Sequence, residues 1–264
     1  LSAAAGDAHQ RGAAAVPESD ALIRSLLRSP RWWGGVVGDA GGYAMQVAAL
    51  ALGTVLLVQP ILVSMLVFAL PLSARLNHRR VAPRTWATAL ALTAALACFL
   101  LVGDPSEGNT DAPLHEWLVP LGLLVGLIAA ATAGGIAAPD PAWRALLIGA
   151  ASGALFGLAA ALTEYVTGLF EHGLGSVLGG WQTWVLIGAG ITGVYLQQRA
   201  FQAGPLAASL PAVTVVEPLA AAFIGIAVLD ERLRTNTVGL VVTTGAVLVM
   251  IAATIALSRS QATA

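Results

Sequence analysis

The chain has 264 residues, 57% of them hydrophobic and only 10% charged, with a mean hydropathy of +0.80. A soluble domain carries about 25% charged residues, so water is excluded as its main solvent. The formal charge of −1 argues against nucleic acid as a partner, because phosphate binding needs a clustered cationic surface. The single cysteine, Cys98, lies inside an apolar run, which leaves no disulfide framework and no cysteine metal site.

Leu1 to Ala15 is a mixed stretch without the charged, apolar and cleavage regions of a signal peptide, and it reads as the tail of an earlier helix. Either further sequence upstream of Leu1 or a non-standard start codon read literally is therefore expected. Pro17–Arg31 is short and charged, with Leu22, Ile23, Leu26 and Leu27 at helical spacing, as in an amphipathic piece on a membrane surface.

Eight apolar runs follow, each near the roughly 20 helical residues needed to cross a hydrocarbon core. They are A, Gly35–Gly53; B, Val55–Leu76; C, Arg84–Val102; D, Glu116–Ala138; E, Arg144–Phe170; F, Gln182–Ala203; G, Leu206–Leu229; and H, Arg234–Leu257. The alternation of barrel strands is absent, and backbone groups in lipid must be satisfied within each segment, so the runs are helices. The expected fold is an all-α polytopic membrane protein, a bundle of eight complete transmembrane helices plus an N-terminal remnant.

Tryptophan favours the headgroup level, and all seven fall at predicted boundaries: Trp32 and Trp33 before A, Trp86 in C, Trp117 in D, Trp143 before E, Trp181 and Trp184 at F. The 13 basic residues are all arginine, and 11 of them fall on one set of alternating loops, leaving Arg232 and Arg234 on the other. The arginine-rich side is expected to be cytoplasmic. That places the C–D loop, with Asp104, Glu107 and Asp111, outside, and the C-terminus inside, in a multi-pass protein of the cytoplasmic (inner) membrane.

Laid upon itself, the chain matches Gly42, Gln46, Ala49, Gly53 and Pro60 with Gly193, Gln197, Ala200, Gly204 and Pro211, each pair offset by 151, as 46 is to 197. A–B–C then corresponds to F–G–H. Because A and F are five crossings apart, the two units lie in the membrane with opposite topology, and such inverted repeats mark secondary transporters. Residues 1–115 are expected to form the first repeat unit and 116–264 the second, together one membrane domain.

Phe201–Leu233, F-Q-A-G-P-L-A-A-S-L-P-A-V-T-V-V-E-P-L-A-A-A-F-I-G-I-A-V-L-D-E-R-L, followed by H, resembles the final helices of the drug/metabolite transporter superfamily. Leu52–Pro60, L-G-T-V-L-L-V-Q-P, resembles the matching place in the first half. The layout is closest to EamA-like transporters and NIPA-type magnesium transporters. The resemblance implies a compact bundle of about nine or ten helices in two inverted units, and this chain departs from that pattern at its N-terminus, where a helix is absent.

Candidate substrate- or ion-binding residues are polar groups at membrane depth. Glu217 lies near the centre of G, where an ionised side chain costs several kcal/mol unless paired or hydrated. Pro218 frees the carbonyl of Thr214, and Pro211 that of Ala207, since neither proline has an N–H to donate. The alternative for Glu217 is a protonated acid tying two helices together. Glu164, beside Thr163, Tyr165 and Thr167, puts a second carboxyl in E that either pairs with Glu217 around a cation or proton or reaches the outer interface. Gln59 with Pro60, Gln46 and Gln197 are polar groups of the other helices. As long amides the glutamines can bond across helices without a substrate, and Pro60 can be the harmless first residue of B. Asp39 and Arg199 reach the near membrane face by snorkelling, and His78, His115 and His172 share no metal-ligand spacing.

Gly149, Gly153 and Gly157 form a four-residue small-residue pattern in E, suited to close packing within the bundle or to a homodimer. No catalytic motif or phosphate-cradling loop is present, so an enzyme is not expected, and no cofactor. The expected function is secondary transport of a small metabolite or ion, with the lipid bilayer and that solute as partners. A divalent-cation (magnesium) transporter is the alternative; it would need several oxygen ligands including carboxylates. A non-transporting membrane scaffold protein is the alternative of another class.

Overall fold

The computed structural model describes residues 30–76, 83–106 and 112–262. The expected surface piece Pro17–Arg31 lies almost wholly outside them, as do the loop arginines 79 and 80 and the acidic residues Glu107 and Asp111. Helices run over Pro30–Leu52 (α1), Val55–Leu76 (α2), Pro83–Gly103 (α3), Leu114–Ala137 (α4), Pro141–Leu169 (α5), Leu174–Gly179 (α6), Trp181–Ala203 (α7), Leu206–Ala227 (α8) and Thr237–Ala262 (α9), with a 3₁₀ turn at Phe170–His172. Among the described residues there is no strand beyond one isolated bridge, Pro105 to Leu233. Proline opens α5, where its missing N–H has no intrahelical use. Asp140 caps α5 by accepting from the Ala142 amide at 2.7 Å.

Five of these helices, α3, α4, α5, α8 and α9, are long and apolar enough to cross a membrane. In α1 and α2 the described apolar stretches are shorter, Gly41–Leu52 and Val55–Ser64. The 23 residues of α7 include Gln182, Gln197, Gln198 and Arg199, which lower its hydropathy. The protein is a multi-pass helical membrane protein. Its outward faces say the same: Leu118, Val119 and Ile136 of α4 and Ile191 of α7 are exposed, apolar surface that water would not tolerate in such quantity.

The bundle is built around α5, 78% of whose apolar span is buried against 11% for peripheral α4. The small-residue pattern explains how α8 comes so close. A Cβ at Gly149 would stand 2.9 Å from the Ser209 carbonyl oxygen, and one at Gly153 2.6 Å from that of Val213; at Gly157 it would strike the carbonyl of Glu217. The glycines are thus used inside the chain, backbone against backbone. On another side of α5, the Ser152 hydroxyl donates to the Gly193 carbonyl of α7 at 2.8 Å. A second core joins α3 to α9 through Leu92, Leu96, Phe99, Met250 and Leu257.

Trp117 departs from its expected place at the headgroups. It is fully buried, its ring T-shaped against both Tyr165 and Trp181 at 5.6 and 5.4 Å, so it closes the bundle end from within. Trp86, Trp143 and Trp184 are exposed, as an interfacial side chain should be.

The helix boundaries repeat. Leu52 ends α1 as Ala203 ends α7, and Val55 starts α2 as Leu206 starts α8. Both ends of the connection are offset by the 151 found in the sequence. The two short connections lie at opposite ends of α5. The Val55 amide, just past the α1–α2 connection, bonds Glu164 near the C-terminus of α5, whereas Gly204, in the α7–α8 connection, abuts the Pro141 carbonyl at its N-terminus. About 23 residues of helix, roughly 35 Å, separate the two points.

Candidate functional site

A helix begins with backbone N–H groups that have no partner within it. At α2 these are buried, so something must accept from them. Thr54 takes the Leu57 amide on its side chain at 3.3 Å. The first amide, Val55, donates to both Glu164 Oε2 and Glu231 Oε1, each at 2.9 Å, and the second, Leu56, to Glu231 Oε2 at 2.8 Å. Glu164 is 8% exposed and Glu231 0%. The positive end of the α2 dipole therefore points at two buried carboxyl groups.

The two carboxyls thus meet on one amide, where two negative charges would repel and a proton shared between them relieves the repulsion. Burial pushes the Glu231 carboxyl above its ordinary range, against the opposing pull of the Leu56 and Val55 amides. Next to Glu231 in the chain, Arg232 and Asp230 bond each other at 2.8 Å on the exposed surface.

The chain delivers Glu231 by a sharp reversal. After α8, Asp230 takes a left-handed conformation (φ 53°), and the Glu231 amide returns to the Gly225 carbonyl at 3.0 Å. Aspartate tolerates that region better than most residues. Gly225 makes room: a Cβ there would lie 2.8 Å from Glu231 Oε2. The neighbouring loop holds the turn, with Ser106 N donating to the Arg232 carbonyl at 2.8 Å and Arg234 N to that of Asp104 at 3.2 Å.

Beside the pair, α2, α3, α8 and α9 line a partly open cavity of about 250 Å³. Leu56 belongs to both, its amide on Glu231 and its residue on the cavity wall. Gln59 and Pro60 line the wall one turn further on, and Thr214 and Pro218 face them from α8. Pro60 is the sixth residue of α2, not its first, so its missing N–H does matter: it deprives the Leu56 carbonyl of its helical donor, as Pro218 deprives Thr214.

Of the residues expected at a site, Glu164, Gln59 and Pro218 thus come together around the first turns of α2. Glu164 meets Glu231 rather than Glu217. Glu217 is half-buried in the middle of α8, makes no hydrogen bond or ion pair among the described residues, and does not line the cavity. Pro211 lines a separate open groove with Trp143 and Arg259 at the Pro141 end of α5. Gln46 and Gln197 are half-buried on α1 and α7, away from both. Sequence reasoning passed over Glu231, which sits in a D-E-R triplet that reads as a solvated turn.

No family model matches the chain, and no solved structure matches it. It is 38% identical over 257 residues to the uncharacterized protein Cgl0250/cg0304 of Corynebacterium glutamicum, an alignment covering 92% of this chain and 84% of that one. The chain belongs to the family of that protein. That relative carries no assigned activity, so the functional reading rests on the site.

Proposed function

We propose that the protein is a secondary transporter of the drug/metabolite transporter type, moving a small metabolite across the cytoplasmic membrane with its C-terminus in the cytoplasm. The observation that carries this reading is the 151-residue offset between the α1–α2 and α7–α8 connections, which lie at opposite ends of α5. Two related units of opposite direction can exchange conformations about a shared site, which is how alternating access is built. The contacts of α2 with α8 and of α3 with α9 support the same axis, because two of the three pairs of corresponding helices then meet. In this reading eight helices cross the bilayer.

The Glu164–Glu231 pair supplies the switch. With a shared proton the two carboxyls clamp the start of α2; without it, two adjacent negative charges repel and α2 is released. A coupling proton therefore changes which end of the cavity is held shut. A divalent cation fits less well, since the carboxyl oxygens at α2 are already taken by backbone N–H donors.

Proteoliposomes loaded with a small-molecule extract test the reading by mass spectrometry of the outside medium. A transporter releases a discrete, saturable subset of solutes, faster under a pH gradient. A membrane scaffold releases none beyond protein-free vesicles, and that outcome would remove the proposal.

A further inference from the structure

The cavity beside the carboxyl pair has a wall of unusual chemistry. No titratable side chain lines it among the described residues, so a charged occupant would stay unpaired at a cost of several kcal/mol. Apart from Gln59 and two threonines, every side chain that lines it is aliphatic, proline, phenylalanine or methionine. Gln59 is 2% exposed, and its Nε2 has no hydrogen-bond partner. A buried amide donor left unsatisfied is costly, and native proteins rarely keep one without a reason. A leucine at this position would pack the wall without that cost.

We propose that this cavity binds a small, uncharged, largely apolar molecule carrying a carbonyl-type acceptor, and that Gln59 Nε2 donates to that oxygen. At about 250 Å³ the cavity sits just below the usual range of ligand pockets, which fits a compact ring or branched chain and not a sugar or a nucleotide. Glu231 stands one residue from this wall through Leu56, so occupancy and the proton on the carboxyl pair report on the same turn of α2. As the class of transported solute, this rests on the transport reading; as a binding site, it stands on the cavity alone.

The test uses purified protein in nanodiscs and two fluorine-labelled probes of similar shape, 4-fluoroacetophenone and 4-fluoroethylbenzene, which differ in the acceptor. Fluorine NMR titration against empty nanodiscs gives the saturable affinities. The ketone is expected to bind about five- to tenfold more tightly than the hydrocarbon. In Gln59→Leu, which removes only an unpaired donor and keeps the fold, that preference disappears while hydrocarbon binding persists. Ala222→Leu, on the cavity wall, weakens both probes. Equal affinity of the two probes for the unmodified protein, a preference surviving Gln59→Leu, or no saturable binding would overturn the proposal, the last leaving the cavity to a lipid acyl chain. Probe binding without solute release from proteoliposomes would sink transport and leave the site; solute release without probe binding would do the reverse.

Discussion

Glu164 and Glu231 accept from the same backbone donor, the Val55 amide, each at 2.9 Å. A carboxyl from the middle of the chain and one from a loop near its end thereby cap a helix that begins at residue 55. Removing either partner exposes what the cap was holding. Glu231→Leu leaves the Leu56 amide buried and unpaired, a loss of about 1–3 kcal/mol. Glu231→Gln keeps one acceptor and loses less. Thermal unfolding in detergent should rank them unmodified, Gln, Leu; a Leu variant as stable as the parent would show that water replaces the carboxyl.

The cap carries a pH dependence with a definite sign. Because burial raises the Glu231 carboxyl in the folded protein, its contribution to stability is full below the ordinary carboxylate value of about 4.3 and is lost as pH rises through the raised one. Glu164→Gln replaces the shared proton with a fixed N–H donor to Glu231. Unfolding midpoints across pH should therefore fall with rising pH in the parent and stay flatter in the variant. Parallel curves for the two proteins would mean that the pair does not share a proton.

Close approach of α5 and α8 depends on glycine at 153, where a methyl would stand 2.6 Å from the Val213 carbonyl oxygen. Gly153→Ala should cost about 1–3 kcal/mol by overpacking. Gly126→Ala, with nothing within 4 Å of the added carbon, should be neutral or slightly stabilising. Similar losses at both positions would contradict the packing described.

Trp117 offers a contrast between two environments. Buried between Tyr165 and Trp181, it should cost about 3–5 kcal/mol when replaced by alanine. Trp184, exposed on α7, should cost far less in detergent. Equal, small effects would return Trp117 to the membrane interface.

Much of the helical frame was legible in the sequence because glycine and proline punctuate it. Gly53 and Gly204–Pro205 end one helix and start the next, so segment B coincides with α2 and segment G starts with α8. The 151-residue offset was legible for the same reason. Pro60 had a bland alternative as a helix start, which fails because Thr54 and the two carboxyls hold the first turn of α2 at residue 55, as segment B has it. Glu231 was illegible in a physical sense. Nothing near it in the chain shows that the Asp230 turn folds it inward, and its partners lie at residues 55 and 56, where the need for acceptors comes from burying a helix start. Trp117 has the residue type of an interface anchor and the neighbours of a core residue, and only the neighbours distinguish the two.

Access to the cavity from each face of the membrane tests the transporter account most directly. Ala222→Cys is placed on the cavity wall in a Cys98→Ala background, in proteoliposomes of known orientation, and treated with an impermeant thiol reagent added outside or inside in turn. Two inverted units rocking about a shared site predict labelling from both sides, with the balance between them moved by pH. Labelling confined to one side at every pH, or absent from both in a protein that is folded and inserted, would contradict the account.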